Sequence, residues 1–427
     1  MSISYKSIEN KLFFLLGLFT SISLLQISIG TMSVSPFNAI MYIIFVFELL
    51  KGKLAVPDTN GVIYFVYLIC IIISTVINSS FVPSNWNTAN FIAVFNSWIL
   101  GFLLIFVNKN ILRSVKKFFI NGLKLNTWIQ LTWGILQFII YKVSGQALNE
   151  IFFEDTLHLQ LSYATSNIYY GINRLTGLNW EPAYFGLALI IGYLLSNKLW
   201  KKLLFVVGVV LSASRTSLLT LIAVIIVQEI YKLVKFKEKK KTYFQKQEVM
   251  ITFTILLVII VGIILNFQEI INTFLSTAMR FQNFDLDPSS RVHSFYYQVL
   301  GNILFSKFSL AQFLFGIGPA SSGYAYTLWY DLYPYLISNA WNIENGLADI
   351  IVGAGVLGTV LVYWWFINNL RIGKDNKVAF ALIIGILVGA ITYSYFVNWI
   401  WVVVMFISLP LKQQDDYVQF KERLKDE

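Results

Sequence analysis

The chain has 427 residues, of which 57% are hydrophobic, 17% aromatic and only 13% charged, against the ~25% charged content usual in soluble domains. That balance excludes an ordinary soluble enzyme and predicts an all-α, polytopic integral membrane protein. The net charge of +10 does not indicate nucleic acid as a partner, because the lysines flank apolar runs in the manner of topology signals, and a single cysteine, Cys70, excludes an internal disulfide.

In chain order, apolar runs fall near 12–29, 36–50, 61–78, 89–107, 123–141, 182–197, 203–213, 216–231, 249–266, 346–367, 378–394 and 396–410. The first starts near Lys11 and is followed by no small-residue cleavage site, so it reads as a retained span and not a signal peptide. Seven basic clusters separate or flank the runs: Lys6/Lys11, Lys51/Lys53, Lys109–Lys124, Lys198–Lys202, Lys232–Lys246, Arg371–Lys377 and Lys412–Lys425. They hold 26 of the 32 basic residues. Placing all seven on the cytoplasmic side predicts about 12 transmembrane helices with both termini cytoplasmic. Residues 1–427 read as one domain, with external loops at 143–181 and 267–345.

The six basic residues left over are Lys142, Arg174, Arg215, Arg280, Arg291 and Lys307. Four are arginines, although the chain has only seven. Orientation rules do not ask for arginine over lysine, whereas a planar guanidinium suits phosphate and carboxylate recognition.

Arg215 stands in the otherwise apolar run LLFVVGVVLSASRTSLLTLIAVIIV, where an arginine costs roughly 2.5–3.5 kcal/mol on insertion scales. The lysine clusters on either side should share a face of the membrane, so the chain between them must cross twice or dip and return. Residues 203–231 as helix span about 43 Å, or about 22 Å per arm, short of the ~30 Å hydrocarbon core. This predicts a hairpin of two short helices with SASR at its tip, shallowly submerged on the outer side. The alternative is one span with a buried, paired arginine, which would move the seven-lysine loop outside.

Within the outer loops, RLTGLNWEP (174–182) places Pro182 at the first turn of the next span and Glu181 at that helix's N-terminus, where a carboxylate is favourable. Asp287-Pro288 opens a helix, with Val292, Phe295, Tyr296, Val299 and Ile303 at helical spacing. That pattern predicts an amphipathic helix on the membrane face, with Arg291 pointing elsewhere. The aromatics from Tyr324 to Trp341 suit either interface anchoring or stacking on sugar rings. FGIGPASSG (315–323) is a glycine-rich turn that can present N–H groups to an anion or simply permit a bend. In NIENGLAD (342–349), Asn345 can cap the following helix and Asp349 sits in its first turn. His158 and His293 have no metal-ligand spacing around them. Asp285 and Asp287 read as helix capping first, with metal binding as a minor option. The early outer loops, GTMSVSP and SSFVPSNWNT, contain no acid, which weighs against glycosyltransferases that keep a metal-binding acid there.

The order of these stretches over 174–365 resembles the O-antigen polymerase and O-antigen ligase family: RLTGLNWEP before a span, SASRT on a hairpin tip, and a large outer loop ending in a polar pair at a span start. FGIGPASSG and Glu344-Asn345 resemble that family's Gly-x-Gly and His-Asn stretches, and GAGVLGTVLVYWW (353–365) its following Gly-rich span. Ligases of the family carry histidine where this chain has Glu344. A carboxylate in a partly desolvated site can also take a proton, and the departure leans toward polymerase.

The resemblance implies a bacterial inner-membrane glycosyltransferase acting on the outer face, without a cofactor or metal. Its substrates would be a polyprenyl-diphosphate-linked oligosaccharide donor and a lipid-linked acceptor. Its other partners would be the bilayer and a chain-length regulator protein. Arg174, Arg215, Arg280 and Arg291 would bind the diphosphate, and Arg215 and Glu344 would be catalytic, with Glu181 and Asn345 in support. The alternatives are an O-antigen ligase transferring the glycan to lipid A-core, a flippase for the same lipid-linked sugar, and a scaffold without chemistry.

Overall fold

A computed structural model describes residues 5–25, 27–29, 32–81, 103–157, 168–169, 172–238, 288–318, 321–330, 343 and 345–410. These residues are overwhelmingly helical. The helices are α1 (Tyr5–Phe19), α2 (Pro36–Leu50), α3 (Thr59–Ile77), α4 (Lys109–Ser144), α5 (Pro182–Leu195), α6 (Leu199–Leu211), α7 (Arg215–Glu238), α8 (Pro288–Asn302), α9 (Leu310–Phe315), α10 (Ser322–Tyr330), α11 (Gly346–Ile372), α12 (Lys377–Ala390) and α13 (Asn398–Ser408). Two π-helical segments, Glu150–Thr156 and Ile303–Lys307, and two short antiparallel hairpins, β1–β2 (Ile27–Ile29 with Met32–Val34) and β3–β4 (Ile168–Tyr169 with Ile172–Asn173), complete the regular structure of the described part.

Local chemistry sets where the helices begin. Ser35 accepts from the Asn38 N–H at 3.2 Å with Pro36 at the first helical position of α2, and Asp58 accepts from the Gly61 N–H at 3.0 Å to open α3. Asn376 and Asn345 cap α12 and α11 in the same way. Among the described residues two helices, α3 and α11, are long and apolar enough to cross a membrane by length and composition, at 19 and 27 residues.

The described helices pack around a largely hydrophobic core that also holds scattered polar side chains, and they carry apolar residues on their outer faces as well. On α3 the exposed apolar residues include Val62, Val66, Ile69, Ile72 and Val76, three and four apart, while the buried face holds Ile63, Tyr64, Tyr67, Leu68, Ile71 and Ser74. α7 exposes Leu219, Ile222, Ile226 and Ile230 and buries Ser217, Thr220 and Gln228. α11 exposes Leu357, Val360, Trp364 and Ile367 and buries Asn369. Water would penalise such continuous exposed stripes, which exceed the scattered apolar residues of a soluble surface. α5 is buried along nearly its whole length and forms the centre. α1 and α4 approach to backbone contact at Gly17 and Gly122, where an added Cβ would meet a carbonyl oxygen of the facing helix at 2.1 and 2.0 Å, as small residues permit between membrane helices.

Contacts between helix ends fall into two sets. At one end Lys51 pairs with Glu9 and Glu48, Lys109 pairs with Asp58, Asn368 donates to Asn60, and Tyr231 donates to Lys374 O at 2.9 Å. Lys116 donates to Ile407 O and Leu409 O at this same end, capping the C-terminus of α13. Residues of the Lys51/Lys53, Lys109–Lys124 and Arg371–Lys377 clusters thus lie at this end. At the other end Leu24 bonds Leu178, Tyr184 bonds Ser394, Thr216 bonds Thr392 and Asn78 bonds Gly316.

Several sequence expectations need correction. The apolar run 12–29 is not one helix: α1 stops at Phe19, the chain turns through Thr20–Leu25, and 27–29 pairs as a strand. Ser21 and Ser23 bond to α4 and to the segment before α5, which holds this turn in place of helix. The hairpin around SASR forms, but its arms are unequal, 13 residues in α6 and 24 in α7. The helix expected on the membrane face, α8, buries Tyr296 and the adjoining Ile303 against Ile317, Tyr326, Ile343 and Val352 in a second protein core. The aromatics of α10 belong largely to that core: Trp329 packs on Phe81 and Phe308, and Tyr326 on Tyr296. Runs 89–107 and 249–266 fall largely or wholly outside the described residues.

Candidate functional site

Three helices begin at the end of the bundle opposite the basic clusters, and each carries one residue singled out in the sequence. Glu181 precedes α5, Arg215 opens α7, and Asn345 precedes α11. All three starts meet the turn between α12 and α13, residues 391–397. From α5, Tyr184 donates to Ser394 O at 2.8 Å, and the turn's Tyr395 donates to Ala183 O at 3.3 Å. From α7, the Thr216 and Thr392 hydroxyls lie 3.0 Å apart. From α11, a Cβ on Gly346 would lie 2.7 Å from Tyr393 O and 2.9 Å from Ala390 O. α8 joins the same place, with Tyr297 donating to Ile391 O. The N-termini of helices carry partial positive charge and unpaired N–H groups, so this convergence favours an anion.

The SASR tip is built tightly. Ser212 donates to Val209 O at 2.6 Å, and Ser214 accepts from the Ser217 N–H at 3.3 Å, capping α7. Between them Ala213 takes φ +50°, the one non-glycine residue with positive φ among the described residues. That conformation costs an alanine roughly 1–2 kcal/mol, and such strain concentrates where position matters. Ser217 also donates to Ala183 O at 3.2 Å, tying the hairpin to α5. Arg215, partly exposed, is the first helical residue beyond this tip.

The stretch before α5 is equally fixed. Gly177 has φ +60°, and a Cβ there would sit 2.4 Å from Gln130 Oε1. Its N–H donates to Gln137 Oε1 and that of Leu178 to Gln130 Oε1, both at 2.8 Å. Asn149 donates to Thr176 Oγ1 and Gly177 O at 3.3 Å. Arg174 and Glu181 stand at the two ends of this loop, each partly exposed. Glu181 occupies the N-cap position but makes no side-chain capping bond. Asn345 behaves as its sequence suggests: buried, its Oδ1 accepts from the Ala348 N–H at 3.1 Å.

Among the described residues of the glycine-rich turn, the backbone N–H groups of 316–318 are given to carbonyls and not presented to an anion. Ile317 and Gly318 give their N–H groups to Val352 O and Gly353 O at 3.0 and 2.9 Å. The turn docks where α11 breaks at Gly355, φ +67°, and a Cβ on Gly316 would lie 2.4 Å from Gly353 O. Asn78 at the end of α3 completes the joint by donating to Gly316 O at 2.9 Å.

Arg291 lies in α8, which reaches the shared turn through Tyr297, but its side chain falls outside the described part. Arg280, Glu344 and the Asp285/Asp287 pair also lie outside the described residues. Flanking Glu344, the Ile343 N–H donates to Ser322 Oγ at 3.3 Å, and Ser322 in turn donates to Asp349. Among the described residues, no three histidine, cysteine or carboxylate side chains come together to hold a metal ion. Sequence reasoning missed Gln130, Gln137 and Asn149. Their only signal was polarity on or beside a long, largely apolar helix. No family model matches this sequence, and no curated protein matches it.

Proposed function

We propose that this protein is a polysaccharide polymerase of the bacterial inner membrane. It joins polyprenyl-diphosphate-linked oligosaccharide repeat units, for O-antigen or capsule, on the outer face. The exposed apolar stripes of α3, α7 and α11 support a membrane location, and the placing of the lysine clusters between apolar runs supports about twelve spans with both termini cytoplasmic. The separation of helix-end contacts into a basic end and an opposite end supports the same topology.

One observation carries the functional reading. Glu181, Arg215 and Asn345, far apart in sequence, start three helices that converge on one turn, away from the basic clusters. In the reaction, an acceptor sugar hydroxyl attacks the anomeric carbon of the donor. The new C–O bond forms as the bond to the lipid diphosphate breaks, and the electron pair leaves with the diphosphate. Glu344 takes the hydroxyl proton. Arg215, with Arg174, Arg280 and Arg291, meets the charge that builds on the leaving group, in a site partly screened from water where such pairing is strong. A chain-length regulator protein would act on the growing product as it forms.

The test is the surface polysaccharide of a strain lacking this protein, complemented with wild type, Arg215→Ala or Glu344→Gln at matched protein levels. The expected result for both variants is core bearing one repeat unit with the longer ladder lost. Naked core with long chains stranded on the lipid carrier would identify a ligase. Naked core without external lipid-linked units would identify a flippase. An unchanged ladder from both variants would refute the assignment.

A further inference from the structure

α4 carries a polar stripe that the proposed chemistry leaves unused. Asn126, Gln130 and Gln137 are spaced four and seven apart, so they share one helical face, and all three are buried. Polar side chains in a membrane-embedded helix are costly, and they persist where they meet other polar groups. Here the bonds go to two segments only. Asn126 donates to Leu18 O and accepts from Ser21 Oγ, and Gln130 donates to Ser21 O at 3.3 Å. Gln130 Oε1 also takes the Leu178 N–H, and Gln137 Oε1 takes the Gly177 N–H, both at 2.8 Å. The Gln137 amide donates back to Gly177 O at 3.3 Å and to Thr176 Oγ1 at 3.4 Å. Glutamine suits this task because one side chain both accepts and donates. Two successive backbone N–H groups of a non-helical segment thus find partners inside the bundle, where water is scarce.

We propose that Gln130 and Gln137 are positioning residues. They fix the Thr176–Leu178 loop and so hold Arg174 and Glu181, at its two ends, in register with the three converging helix starts. The loop's far side is tied as well: Leu24 donates to Leu178 O at 3.0 Å, and Trp180 donates to Ser23 Oγ at 3.4 Å. The inference rests on the diphosphate reading of Arg174 and predicts a loss of rate greater than any loss of folded protein.

The experiment uses the full chain reconstituted in vesicles with lipid-linked repeat units, with kcat and KM normalised to folded protein. Gln130→Met and Gln137→Met keep volume and remove both hydrogen-bonding atoms. Each should lower kcat by about tenfold or more, as loss of alignment does, with KM for the donor changed far less. Gln137→Glu keeps an oxygen for the Gly177 N–H and should recover much of the rate lost in Gln137→Met. If the methionine variants do not fold, Thr176→Val serves instead, because it removes the Oγ1 that Gln137 and Asn149 both reach, and it should lower kcat in the same direction. Wild-type kcat per folded molecule in the folded variants would overturn the inference. Arg174→Ala and Arg215→Ala run alongside. Full activity in both would bring down the diphosphate reading itself. Inactivity in both, with normal glutamine variants, would bring down only the positioning role.

Discussion

Gly186→Ala tests whether close approach of α5 and α7 sets the position of Arg215. A Cβ at Gly186 would lie 2.1 Å from Ser217 Oγ and 2.4 Å from Ser217 Cβ. Ordinary carbon contacts are about 3.5–4.0 Å, so the helices must part by roughly 1 Å. Ser217 Cβ is fixed to the helix backbone and cannot swing aside. Overpacking of this kind costs roughly 1–3 kcal/mol. The separation would carry Arg215, two residues before Ser217, by a similar distance, and a misplacement of ~1 Å can cost on the order of 10²-fold in rate. The assay compares protein recovered in membranes with the length of the polysaccharide ladder. Gly186→Ala should accumulate at a reduced level and lose chain extension beyond that reduction. Ser217→Gly removes both offending atoms. It forfeits the bond to Ala183 O, about 1 kcal/mol, and adds a helical glycine, about 1 kcal/mol. The double variant should therefore be less stable than wild type yet regain much of its activity. A Gly186→Ala protein with wild-type level and ladder, or a double variant no better than the single, would refute the reasoning.

Two further predictions address the bundle as a whole. Ile69 lies mid-helix on the exposed apolar face of α3, so Ile69→Lys should cost roughly 2.5–3.5 kcal/mol of insertion and deplete the membrane fraction. Wild-type recovery would mean that this face meets water. Lys116 is buried, and burial pushes its ammonium from 10.5 down to about 8. Because its folded value lies below its unfolded one, the charge penalty is fully present below pH 8 and is relieved as pH rises toward 10.5. The unfolding temperature of wild type relative to Lys116→Gln should therefore rise across that window in detergent, and a falling difference would contradict the burial of the charge.

The sequence by itself determined what depends on neighbours along the chain. Composition and apolar runs dictate the helical class and where helices long and apolar enough to cross a membrane can form, because hydrocarbon length and charge cost act on each segment separately. Helix starts at Pro182 and Gly346 are legible because caps and prolines act within four residues. The hairpin around SASR followed from counting residues between lysine clusters. Only the tertiary structure decided which faces meet. The glycine-rich turn was open between anion cradle and bend until Gly316 docked on the break at Gly355, 39 residues later. Nothing local distinguishes Gln130 and Gln137 from polar residues facing a pore; their partners lie 48 and 40 residues away. Likewise, Tyr296 reads as a lipid-facing aromatic by spacing alone, since periodicity names a face without naming what covers it. The convergence of Glu181, Arg215 and Asn345 on residues 391–397 belongs to this second class, because it depends on long-range packing that no short stretch encodes.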